Sequence, residues 1–198
     1  MFLNKSDFNM ENKRIKSWNM FNESSEYQSP NHIRDLLYDW IGDAKCEVVG
    51  SEKFMTFKFS DRKDHSEAVE VIEDWNIGCW TSYSDNYDNY FSNHYNIVVW
   101  DKELEDYLTD KFSDCERVKS KTHPETYVFW MKSGSFLAIQ DVKRNELSIN
   151  KLIWKHFVNY GISNSDLRAF LKNVFYKQFG LEEYSFYSQG EDSAKSLM

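Results

Sequence analysis

The stretch "TYVFWMKSGSFLAIQDV", Thr126–Val142, decides the fold class. Two runs of β-branched and aromatic residues flank Ser133-Gly134, the pattern of a β-hairpin with a tight polar tip. The period then changes. In "NELSINKLIWKHFVNYG", 145–161, the residues Ile149, Leu152, Ile153, His156, Phe157 and Tyr160 fall on one helical stripe. Ser148 is placed to cap it and Gly161 to end it. "SNSDLRAFLKNVFYKQFG", 163–180, repeats the design with Leu167, Phe170, Leu171, Val174 and Phe175, stopping at Gly180. So short a connection predicts that the two helices pack as an antiparallel pair against the hairpin.

Upstream, Ser29-Pro30 supplies a cap and first helical position for Ile33, Leu36, Leu37, Trp40 and Ile41,. Cys46–Val49 and Phe54–Phe59 read as strands around Gly50-Ser51. Asp64 and Glu67 make a capping box for a helix carrying Ala68, Val71, Ile72 and Trp75,. Gly78–Thr81 and Tyr95–Trp100 read as strands, and Asp101 caps a helix with Leu104, Tyr107, Leu108 and Phe112 on one face,. Strand and helix signals alternate without a β-α-β rhythm. The expectation is one α+β domain at 29–187, with a leader and linker at 1–28 and a polar tail at 188–198. Its antiparallel sheet would have roughly five to seven strands, with helices on one face and a C-terminal helical hairpin.

With 198 residues, 41% hydrophobic and 17% aromatic, the chain can bury a substantial core,. No apolar run reaches the length of about 18 residues that a membrane span needs, so no membrane association is expected. Cys46, Cys79 and Cys115 are odd in number and widely spaced, as for reduced thiols packed as small apolar groups,. The net charge of −8 argues against general nucleic-acid binding,.

Histidines and cysteines lack zinc-like spacing, and there is no nucleophile elbow, phosphate-cradling glycine loop or His-Glu-x-x-His pattern,. The expectation is therefore no catalytic, cofactor or metal site. The residues that draw notice are in the segment 82–96: Tyr83, Asp85, Tyr87, Asp88, Tyr90 and Tyr95, with no Lys or Arg among them. Tyrosine gives large contact area at modest entropic cost, and carboxylates steer a basic protein surface toward it. The same tyrosines also fit a second reading, in which half of them fold beneath the loop as core.

Before the domain lies a short basic-amphipathic segment with Ile15, Trp18 and Phe21, followed by Asn22-Glu23-Ser24-Ser25. Residues 1–23 hold four cations against three carboxylates, so the rest of the chain carries −9. The pattern Lys-Ser-Trp-x-x-Phe-x-Glu-Ser, 16–24, resembles the capsid-targeting leaders of internal head proteins in T-even-like tailed phages, and those of uncharacterised large-phage proteins. The resemblance implies that Ile15, Trp18 and Phe21 dock on the scaffold or prohead protease, which would cut between Glu23 and Ser24. It further implies residence in the capsid interior and then the host cytoplasm. The expected function is a non-enzymatic virion protein that binds a host or viral protein, for instance as a host-defence inhibitor. A structural accessory of head or neck and a small enzyme of unrecognised type are the alternatives.

Overall fold

The computed structural model describes residues 29–75, 77–86, 93–180 and 184–198. Its elements are α1 (Pro30–Ile41), a 3₁₀ turn (Asp43–Lys45), β1 (Glu47–Ser51), β2 (Phe54–Phe59), α2 (Arg62–Asp74), β3 (Trp80–Asn86), β4 (Asn93–Trp100) and α3 (Lys102–Ser113). The chain continues with β5 (Cys115–Lys119), β6 (Thr126–Met131), β7 (Phe136–Asp141), β8 (Glu146–Asn150), α4 (Lys151–Val158), α5 (Asn164–Phe179), β9 (Ser185–Gln189) and α6 (Glu191–Lys195). The α+β class expected from the sequence holds. The strands, however, divide into two sheets, ordered β1-β2-β4-β3 and β5-β6-β7-β8-β9. All pairings are antiparallel except β8 with β9.

Period-two alternation explains how the layers stack. On β2 and β4, Met55, Phe57, Phe59, Ile97 and Val99 point to one face and pack with Ile33, Leu37 and Ile41 of α1 and Ala68 and Ile72 of α2. Phe54, Val98 and Trp100 point the other way, into a larger core shared with Leu104, Leu108 and Phe112 of α3 and with α4 and α5. Phe129, Leu137, Leu147, Ile149 and Phe186 enter that same core from the second sheet. Both sheets are thus covered on both faces, not one as expected. That is why "FMTFKF" and "IVVW" read as nearly unbroken apolar runs. Phe170 of α5 sits at the centre, its ring 4.9 Å from Trp100, 5.4 Å from Phe157 and 5.9 Å from Phe54.

Several local expectations are corrected. The N-cap of α2 is Asp61, which accepts from the Lys63 N–H at 2.6 Å. Asp64 and Glu67 instead hold Lys45, at 2.9 and 3.6 Å. The helix after the hairpin is capped by Asn150, not Ser148, and Ile149 belongs to β8. Leu152 consequently rotates off the stripe and is 69% exposed. The two helices expected as a C-terminal helical hairpin form the crossover between the parallel strands β8 and β9. Finally, the segment 188–198 is not a polar tail. Its Ala194 is fully buried, and Leu197 and Met198 cover Val128, Phe136 and Ile139 on the outer face of the second sheet. The Leu197 carbonyl accepts from the Ser120 hydroxyl at 2.8 Å and the Lys121 N–H at 3.1 Å.

Candidate functional site

Between the edge strands β3 and β9, over the outer face of α5, runs an open groove of about 430 Å³. It is lined by Tyr83 of β3, by Ser165, Arg168, Ala169 and Lys172 of α5, and by Tyr184–Tyr187. Among the described residues no carboxylate lines it, although the chain as a whole carries −8.

Each wall has a local cause. Helix α5 begins at Ser163, whose hydroxyl oxygen accepts from the Asp166 N–H at 3.1 Å, and it ends at Gly180 with φ +66°. The helical period then buries Leu167, Phe170, Leu171, Val174 and Phe175 and turns Arg168 and Lys172 outward, one turn apart,. Asp166 is 6% exposed but well partnered: Tyr83 donates to it at 2.7 Å and the Ser163 hydroxyl at 2.6 Å. Those two hydroxyls offset the cost of burying the carboxylate and pin the Tyr83 ring against α5.

The opposite wall is fixed through the second sheet. Gln140, almost fully buried, accepts from the Arg117 guanidinium at 2.8 and 3.1 Å and donates to the Tyr184 hydroxyl at 2.8 Å. Arg117 is itself seated over the Tyr127 ring at 3.7 Å. Arg168 donates from Nε to the Phe186 carbonyl at 3.2 Å, which ties α5 to the β9 edge. Tyr187 remains 45% exposed on the rim.

Of the sequence-derived site residues, the described tyrosines Tyr83 and Tyr95 do not share one surface. β3 and β4 pair as far as Asn86 opposite Asn93, so much of the expected loop is a β-hairpin arm. Tyr83 lies opposite Asn96 and Tyr95 opposite Ser84, which sends the two tyrosines to opposite faces of the sheet,. Tyr83 enters the groove, whereas Tyr95 packs on the α1–α2 side with its ring 5.6 Å from His65. The backbone of Asp85 is paired opposite His94. Tyr87, Asp88 and Tyr90, and the leader residues Ile15, Trp18, Phe21, Glu23 and Ser24, lie outside the described residues. His156 stacks on Tyr107 at 4.4 Å, and among the described residues no group of three side chains is placed to hold a metal ion.

Arg168, Lys172, Tyr184 and Tyr187 were missed because Arg168 and Lys172 read as the ordinary solvated face of an amphipathic helix. The available signal was the alternation in "EYSFYSQ", 183–189, which marks a strand where a domain end was expected,. Comparison with protein-family models, with curated proteins and with solved structures finds no match to this chain.

Proposed function

We propose that this chain is a non-enzymatic recognition protein, carried in a phage virion by its leader. It binds a host or viral protein through the groove and the β3–β4 arm beside it. The groove itself carries this reading. Three tyrosine rings, two of them held by half-buried hydrogen bonds, stand around two cations between two edge strands. Rigid aromatic area with a few oriented polar groups is what a recognition surface needs, since little entropy is lost when a partner settles on it. Tyr83 belongs to both the arm and the groove, which supports their acting as one surface.

The leader pattern supports the location, and an acidic chain suits a protein-binding inhibitor better than a DNA-condensing head protein, which would be basic,. The partner that fits the acidic arm is a basic protein surface. The experiment is photo-crosslinking in infected cells with benzoylphenylalanine at position 187, together with N-terminal mapping of the protein from purified particles. The expected results are one protein adduct, reproduced with purified components, and a particle-borne chain beginning at Ser24. Absence of the chain from particles removes the virion assignment, and absence of any protein adduct removes the recognition reading.

A further inference from the structure

We infer that the groove takes an extended peptide segment of the partner that places a carboxylate between Arg168 and Lys172. This rests on the recognition reading above and adds the chemistry of what enters. Arg168 is fixed by its Nε bond to the Phe186 carbonyl, and its terminal nitrogens have no partner among the described residues. A guanidinium held this way presents its remaining N–H groups as an oriented fork, the geometry that receives an oxyanion. Lys172 stands one helical turn away on the same face and makes no ion pair among the described residues. The nearest acid on α5, Asp166, is buried and held by Tyr83 and Ser163, so it does not neutralise the fork.

The walls select an extended chain. Both β3 and β9 are edge strands, and edge strands offer backbone donors and acceptors that match another extended backbone,. Tyr83 and Tyr187 offer ring surface to the stems of its side chains,. Charge separates this occupant from nucleic acid. A duplex brings one negative charge about every 1.7 Å, and a chain of −8 repels such a polyanion along its whole length,. A segment with one or two carboxylates meets the local pair of cations without that accumulated repulsion.

The test is fluorescence anisotropy on the full chain with a capped, labelled octapeptide of threonines carrying two central glutamates. The comparison probes are the threonine–lysine octapeptide, inorganic phosphate and a short oligothymidylate. The glutamate peptide should bind, more weakly at about 0.15 M salt than at low salt. Lys172→Gln should weaken it roughly tenfold and Arg168→Gln by more, with Arg168→Lys between wild type and Arg168→Gln. Lys151→Gln, an exposed change on α4, should leave binding unchanged. Because Arg168 also ties down β9, Lys172→Gln is the decisive variant, as Lys172 makes no ion pair among the described residues. Equal binding of the lysine peptide, preference for phosphate or oligothymidylate, no binding, or undiminished binding by Lys172→Gln would each overturn the inference. If the peptide fails while the protein adduct at position 187 persists, recognition stands and the acidic segment falls. If both fail, recognition itself is lost.

Discussion

Phe170→Ala and Leu152→Ala form a matched pair, since both residues sit on apolar helical stripes in the sequence and the structure gives them opposite fates. Phe170 is fully buried and touches rings from β2, β4 and α4, so its truncation opens a cavity where the first sheet meets the middle helices. Phe→Ala in a close-packed core costs about 3–5 kcal/mol, and three ring partners on three elements leave little room for collapse. A value near 4 kcal/mol would lower Tm by about 8–16 °C in a chain of this size. Leu152, 69% exposed, should change stability by no more than about 0.5 kcal/mol,. Thermal and urea unfolding followed by circular dichroism measure both. A loss below about 1 kcal/mol for Phe170→Ala, or one above about 2 kcal/mol for Leu152→Ala, would refute this packing arrangement.

Removing residues 190–198 should cost about 2–4 kcal/mol, because Val128, Phe136 and Ile139 lose the cover of Ala194, Leu197 and Met198,; unfolding of the truncated chain checks it. Burial lowers the His65 pKa below its ordinary 6.5, with Arg62 adding to the effect and the Asn96 backbone opposing it. A group depressed in the folded state takes up its proton first in the unfolded chain. Stability should therefore be complete above pH 6.5, fall as pH drops through that value, and level off below the lowered folded value,. Unfolding at neutral and mildly acidic pH should show this slope in the wild type and lose it in His65→Phe. Burial pushes the Cys46 and Cys115 thiols up to about 11. Iodoacetamide at about pH 8 should label both far more slowly than a free thiol, and rapid labelling would show that these sites open.

How much was legible depends on which period a segment obeys and how many partners it needs. The hairpin of β6 and β7, the Ser29 and Asp101 caps and the buried stripe of α5 were readable because each is set by residues close in sequence. The boundary of β8 and α4 was not. Leu147 and Ile149 fit period two, while Ile149 also falls on the helical stripe of Ile153 and Phe157, and only pairing with β7 and β9 settles it. The segment from Ser188 reads as a tail because its few apolar residues find their partners about 60 positions earlier on β6 and β7,. The groove was illegible for a related reason. Tyr83, Arg168 and Tyr187 carry no mutual signal until two sheet edges are brought to either side of one helix.

Hydrogen exchange on the complex with the partner identified by crosslinking tests the central claim most directly. Recognition at the groove predicts slowed exchange in β3 and β9, with α1 and α2 unchanged on the far side of the first sheet. Slowing confined to α1, α2 or β5, with β3 and β9 exchanging as in the free protein, would contradict it.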